Sequence, residues 1–76
     1  DTAREAVLRA IETDPEGSAD AYILAAEIEM DLGESTTALR RLRQAYGLEP
    51  GNLDIAERLR AYGEIPGPTL VLPPGP

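Results

Sequence analysis

Residues 19–52 read ADAYILAAEIEMDLGESTTALRRLRQAYGLEPGN, and this stretch decides the fold. Gly33-Glu34-Ser35 separates its two halves, and Glu49-Pro50-Gly51-Asn52 closes it. In the second half, apolar residues recur every three or four positions, which is typical of an amphipathic helix. The first half is apolar on nearly all sides, as expected of a helix with several neighbours. The stretch therefore predicts a helix, a turn and a second helix.

Helical segments also flank this stretch on both sides. One ends at the break Asp14–Ser18 and the other follows Asn52. Thr2 with Glu5 fits a capping box, and Ser18 and Asn52 are suitable N-cap residues. The residues predicted to face inward are Ala3, Val7, Ala10 and Ile11 in the first helix, Tyr22, Ala25, Ala26, Glu29 and Leu32 in the second, Ala38, Leu39, Leu42, Ala45 and Tyr46 in the third, and Ile55, Ala56, Leu59 and Tyr62 in the fourth. The third helix is predicted to leave Arg40, Arg41, Arg43 and Gln44 outside.

The helices repeat at a fixed interval. A shift of 35 residues places Thr2-Ala3 on Thr37-Ala38 and Asp14-Pro15 on Glu49-Pro50. The same shift superimposes Val7 on Leu42 and Ala10 on Ala45. Self-similarity at this period is typical of stacked helical hairpins, which bury their apolar faces against one another.

The central unit resembles the tetratricopeptide repeat, a helix-turn-helix of 34 residues. The matching residues are Ala19-Asp20-Ala21-Tyr22 at its start, Gly33 in its turn, Ala38 and Leu42 at the spacing of its second helix, Ala45, and Pro50 at its end. The sequence departs from the family pattern at Ala25-Ala26, Glu29 and Arg60. The resemblance implies an all-α fold of four antiparallel helices, arranged as a fragment of a right-handed solenoid. Residues 1–17 would be a second half-repeat, 19–52 a full repeat and 53–63 a first half-repeat.

The composition of the 76-residue chain excludes several kinds of chemistry. It has 14 acidic residues against seven arginines, for a net charge of −7, and it lacks lysine, histidine and cysteine. It therefore cannot form a His/Cys zinc site, a cysteine or Ser-His nucleophile, or a Schiff base. We expect no catalytic residue, cofactor or metal, no nucleic-acid partner and no membrane insertion. The redox compartment stays open without cysteine, and a cytoplasmic location is favoured.

The resemblance also implies where a partner would bind, because first helices of this family line a concave groove for peptides or helices. On a helical wheel, the second helix presents an apolar and acidic face away from its small residues. The candidate partner-binding residues are Asp20, Ile23, Leu24, Glu27, Met30 and Asp31, continued on the fourth helix by Asp54, Glu57 and Arg58. Such a groove suits a partner protein or peptide with apolar and basic residues.

Two other interpretations compete with this hypothesis. Ile23, Leu24 and Met30 could instead pack against a preceding repeat or against the chain's own tail. The chain would then be a structural segment that stacks on neighbouring repeats or self-associates weakly through exposed ends. The acidity could also reflect a high-salt source rather than ligand choice. The chaperone-tail class of the family, which clamps a carboxylate with lysine, is disfavoured because the chain has no lysine.

Three charged features have structural interpretations that we favour. Glu29 falls on the small-residue face, where it needs an ion pair, with Arg9 or Arg41, or a position at the rim. Arg40, Arg41 and Arg43 are predicted to form a solvated surface rather than a phosphate site. The acids between Glu27 and Glu34 lie on different faces and lack calcium-loop spacing, so a solvated acidic surface is favoured over a divalent-ion site.

The segment 64–76 holds five of the seven prolines and cannot be helical. We favour a semi-rigid polyproline-like linker or a disordered terminus. The alternative is that Leu70-Val71-Leu72 docks in extended form on an apolar groove of this chain or a neighbouring one.

Overall fold

The computed structural model of the chain describes residues 2–64 and 71–75, and this part is all-α. It contains four helices, α1 (Ala3–Thr13), α2 (Ala19–Asp31), α3 (Ser35–Leu48) and α4 (Leu53–Ala61), and no strand. The predicted number and order of the helices are confirmed. Asp1, Pro76 and residues 65–70 lie outside the described residues, and so does the expectation placed on Leu70.

Short polar side chains begin three of the helices as the sequence predicts. Thr2 Oγ1 accepts a hydrogen bond from the Glu5 N–H, and Ser18 Oγ accepts one from the Asp20 N–H. Asn52 Oδ1 accepts from the N–H groups of Asp54 and Ile55. Each bond satisfies backbone donors that the first helical turn leaves without a partner.

Consecutive helices pack against each other, and α2 against α3 forms the largest of these interfaces. Alanines allow the two backbones to approach closely, while Tyr22 and Leu42 fill the space between them. The buried core consists of Val7, Ile11, Ala19, Tyr22, Ala25, Ala26, Ala38, Leu42, Ala45, Ile55 and Leu59. Ile23, Leu39, Met30 and Tyr46 are half-buried against it.

Four residues predicted to face inward are exposed instead, and two of them follow the last residue of a helix. Leu32 is the C-cap of α2 and is 58% exposed, and Tyr62 is the C-cap of α4 and is 42% exposed. The following glycines, Gly33 and Gly63, have φ of 80° and 82°, and they turn the chain away. The helical wheel therefore does not apply to these two side chains. Ala3 and Ala10 are also exposed, because α1 packs mainly on α2 and buries only Val7 and Ile11.

The largest departure concerns the side of α3 that was expected to face solvent. Arg41 and Gln44 are buried, with 3% and 6% of their surface exposed. Only Arg40 is fully exposed among the three arginines expected to form a solvated surface, because Arg43 is half-buried. Gly47 lies within α3, which continues to Leu48, so the end of this helix does not fray at the glycine.

The C-terminal residues 71–75 explain this burial, because they lie in irregular conformation against α3 and the start of α2. Gln44 Nε2 donates to the carbonyl oxygens of Pro73 and Gly75, both at 2.9 Å, and Arg41 Nη1 donates to the Gly75 carbonyl at 3.0 Å. The Gly75 N–H donates to the Tyr22 hydroxyl at 2.9 Å. The interpretation of the tail as a free linker or disordered terminus is therefore wrong for these residues. They bind a largely polar site rather than the apolar groove of the alternative.

Candidate functional site

The surface between α2 and the end of α4 brings together four of the nine candidate partner-binding residues. Leu24, Glu27, Met30 and Asp31 line an open depression of about 450 Å³, which Ile28 and Tyr62 complete. Leu24 is 47% exposed, Met30 is half-buried, and the two acids are exposed. We call this depression the α2–α4 surface. The residues of this surface that belong to α2 share one face of the helix, because spacings of three or four positions relate them.

Arg58 connects the two helices at this surface. Its Nη1 donates to Glu27 Oε2 on α2 at 3.2 Å, and its Nε donates to Asp54 Oδ2, one turn earlier on α4, at 3.1 Å. Partial burial alone would lower the pKa of Arg58, but its bonds to the two carboxylates outweigh this effect and raise that pKa. The guanidinium is thus charged, and it links α4 to α2 through an exposed ion pair.

The remaining candidates do not line the depression. Asp20 and Glu57 are exposed, and Ile23 is half-buried against the core. Together the nine residues contribute five carboxylates and one guanidinium, so the surface and its surroundings are acidic. Sequence analysis missed Tyr62, which it assigned to the core. Its position directly before Gly63 was the signal that the helix ends there.

A second depression lies between α1 and α2 and is mostly apolar. It measures about 480 Å³ and is lined by Leu8, Ile28 and Leu32 together with residues 2–5. Arg4 Nη2 lies 3.2 Å from Glu34 Oε2, an ion pair between α1 and the α2–α3 turn. Ile28 lines this depression as well as the α2–α4 surface.

A buried polar cluster occupies the interface of α2 with α3, and we define it as Tyr22, Glu29, Arg41 and Gln44. Glu29 is 1% exposed, and its Oε1 lies 3.7 Å from Arg41 Nε, an ion pair too long to be a hydrogen bond. The two Glu29 oxygens and Arg41 Nε have no hydrogen-bond partner among the described residues. The prediction of an ion pair is confirmed for Arg41, and the rim position is wrong.

The rest of the cluster is well bonded. Arg41 Nη1 donates to Gln44 Oε1 at 3.1 Å, and the Tyr22 hydroxyl donates to the Pro15 carbonyl at 2.7 Å while accepting from Gly75. Burial lowers the pKa of Arg41, although the charge of Glu29 partly opposes this effect. Within the cluster, Arg41 and Gln44 thus donate hydrogen bonds to the C-terminal residues, and Tyr22 accepts one from them.

Among the described residues, no group of three or more histidine, cysteine, aspartate or glutamate side chains is placed to hold a metal ion. No helix in the described part of the chain is long and apolar enough to cross a membrane. Comparison with protein-family models, with curated proteins and with solved structures finds no match for the chain.

Proposed function

We propose that the chain is a protein–protein interaction module of the tetratricopeptide type, acting as a scaffold or adaptor. In this proposal the α2–α4 surface binds a short peptide or helix of a partner, and the chain is not an enzyme. The partner would present an apolar side chain flanked by arginine or lysine.

The observation that carries the proposal is the combination of chemistry at the α2–α4 surface. Leu24, Met30 and Tyr62 offer apolar contact area within one depression, and Glu27 and Asp31 place carboxylates at its edge. A complementary ligand would bury the apolar residues and meet the acids with positive charge, which gives specificity and speeds association.

Three further observations support the repeat type. The central pair α2 and α3 packs through the alanines that the resemblance highlights, and Gly33 has the positive φ of a turn glycine. Tyr22 is completely buried, as the opening aromatic residue of such a repeat should be.

A peptide-display selection tests the proposal. The immobilised chain is exposed to a random 12-residue library, and we expect enrichment of sequences with one or two apolar anchors and several basic residues. Leu24→Asp should weaken a selected peptide on the order of tenfold or more, since burying a leucine contributes about 1.5–3 kcal/mol. Leu53→Asp is the matched control, because Leu53 is 75% exposed and does not line the depression.

The proposal fails if no such sequences are enriched. It also fails if the selected peptides bind the Leu24→Asp variant as tightly as they bind the original chain. Circular dichroism of both variants would establish that the helices are retained, as expected for two exposed positions.

The α1–α2 depression favours a second candidate function, that of a structural segment stacking on neighbouring repeats. Leu32 is exposed beside Leu8 and Ile28, and an apolar depression of this kind is suited to a packing neighbour. This candidate predicts concentration-dependent assembly in sedimentation velocity that Leu32→Asp abolishes. Assembly that is insensitive to Leu32→Asp, or no assembly up to millimolar chain, would reject it.

A further inference from the structure

The residues that hold the C-terminal segment have the properties of a peptide-recognition site. Gln44 and Arg41 donate to carbonyl oxygens, and the Tyr22 hydroxyl accepts from an N–H, so all three side chains bind backbone groups. The backbone of residues 71–75 is irregular, with a bend at Pro74 and a positive φ at Gly75. Prolines suit such a segment because they restrict φ and leave nearby carbonyl groups free to accept hydrogen bonds. Because the prolines also restrict the unbound segment, its binding costs less conformational entropy.

Gly47 adds selectivity for a side chain. A Cβ built at position 47 would lie 2.7 Å from Cγ1 of Val71, which would have to move, and 3.2 Å from the carbonyl oxygen of Leu72, a tight contact. The absence of a side chain at Gly47 therefore lets an apolar residue and the backbone that follows it approach α3. The Leu72 N–H points to the Arg43 carbonyl at 3.5 Å, the longest contact of the set.

Gly75 adds selectivity at the other end of the segment. Its φ of +134° lies in a region that residues with side chains rarely adopt. In that conformation its N–H reaches Tyr22 while its carbonyl reaches both Arg41 and Gln44. Val71 remains 41% exposed, so its contact with Gly47 covers only part of the side chain, and Leu72 contributes backbone groups. The pattern that fits is thus an apolar residue, a residue that contributes its backbone, two prolines and a glycine.

We propose that Tyr22, Arg41, Gln44 and Gly47 form a binding site for an uncharged apolar-x-Pro-Pro-Gly segment of a partner protein, which the chain's own residues 71–75 occupy in its absence. The site carries no net charge to attract a charged ligand, because Glu29 is paired with Arg41. Its residues do not overlap with those of the α2–α4 surface, so this proposal stands independently of the proposed function.

The intramolecular segment competes with any partner. A tethered segment has an effective concentration on the order of millimolar, so a free peptide should bind the original chain weakly. Releasing the segment should raise the apparent affinity for a free peptide, because more of the sites are then empty.

The experiment uses the full chain with Val71→Asp and Gly75→Ala, which remove the apolar contact and the residue with positive φ. The probe is a fluorescein-labelled peptide of residues 69–75, TLVLPPG, followed by fluorescence anisotropy. We expect saturable binding that is at least tenfold tighter than binding to the original chain. A peptide ending in alanine instead of glycine should bind at least tenfold more weakly than the probe.

Two controls locate the binding. Adding Gln44→Ala to the released chain should abolish it, whereas adding Gly51→Ala should not, because a Cβ at Gly51 meets nothing within 4 Å. The side-chain amide resonances of Gln44 report release directly. If they do not move in the released chain, the segment is not held by Val71 and Gly75, and the proposal is wrong.

Other results would overturn the proposal as well. These are no saturable binding to a folded released chain, and binding that survives Gln44→Ala. Sedimentation velocity of the original chain from 20 µM to 1 mM tests whether a second copy of the chain supplies the bound segment. If the original chain forms a dimer that is lost with Val71→Asp and Gly75→Ala, two copies exchange their C-terminal segments, and the proposal of a separate partner protein is wrong.

Discussion

Two surfaces on the same helical framework differ in what covers them. The α2–α4 surface is open, and its charges meet in an exposed bridge between Glu27, Arg58 and Asp54. The polar cluster of α2 and α3 is closed, and its charges meet in a buried pair between Glu29 and Arg41 beneath the C-terminal residues. The same residue types thus stand in two dielectric environments within one chain of 76 residues.

The difference shows that the same types of charged residue can contribute very different amounts to the stability of one small domain. An exposed pair gains little because water competes for both partners. A buried pair contributes through the penalty that follows when one partner is lost, since the other charge then stays in a medium that solvates it poorly. Substitutions at the two surfaces should therefore differ in size and in their response to salt.

The largest expected effect is that of Arg41→Ala. It leaves the carboxylate of Glu29 buried without its partner and removes the donor to the Gly75 carbonyl. Loss of one member of a buried pair costs about 3–5 kcal/mol. A domain of this size has a free energy of unfolding of roughly 4–11 kcal/mol, so the variant should lose a large fraction of its stability. Urea unfolding followed by circular dichroism measures the change.

Arg40→Ala is the control, because Arg40 is the exposed neighbour of Arg41 on the same helix. It should change the free energy of unfolding by less than about 1 kcal/mol. Adding Glu29→Gln to Arg41→Ala should recover part of the loss, since no isolated charge is then buried. If Arg40→Ala and Arg41→Ala lower the free energy of unfolding equally, the contrast between exposed and buried charges is contradicted.

Most of the framework and the ion pair of Glu29 could be predicted from local sequence, whereas the burial of Arg41 and Gln44 beneath residues 71–75 could not. The caps Thr2, Ser18 and Asn52 were predictable because each satisfies backbone groups within three residues. The pairing of Glu29 with an arginine followed from the cost of an unpaired charge on a packed face. The burial of Gln44 depends instead on Pro73 and Gly75, 29 and 31 residues away, and helical periodicity carries no information about such a distant cover.

The candidate site was partly predictable for a similar reason. Leu24, Glu27 and Asp31 follow from the wheel of α2 alone, whereas the contribution of Tyr62 depends on where α4 ends. Predicted helix ends are uncertain by a few residues. For that reason alone, Leu32 and Tyr62 were predicted to be buried and are exposed instead. Whether the α2–α4 surface binds a partner stays a prediction.

A smaller effect is expected for Tyr22→Phe, which removes one hydroxyl from the polar cluster. The Pro15 carbonyl loses its donor and the Gly75 N–H loses its acceptor. Both groups are partly buried, so the loss should be about 1–2 kcal/mol. Tyr62→Phe is the matched control at the α2–α4 surface, where the exposed ring should make the change less than about 0.5 kcal/mol. Thermal unfolding measures the melting temperature of both variants. A larger decrease in melting temperature for Tyr62→Phe than for Tyr22→Phe would contradict the structural role assigned to the Tyr22 hydroxyl.

The smallest expected effect, and the one that separates the two environments most directly, is that of Arg58→Ala. It removes both exposed pairs of the bridge, which together should contribute about 0.5–1 kcal/mol at 20 mM NaCl. At 1 M NaCl the Debye length falls to about 3 Å, so this difference from the original chain should nearly vanish. The cost of Arg41→Ala should persist at 1 M NaCl, because ions do not enter the buried cluster. Urea unfolding of both variants at the two salt concentrations measures this, with Glu57→Gln as the control for removing a charge outside the bridge. If the two arginine substitutions respond alike to salt, then the C-terminal residues do not exclude solvent from Arg41, and the distinction between the open and the closed surface is lost.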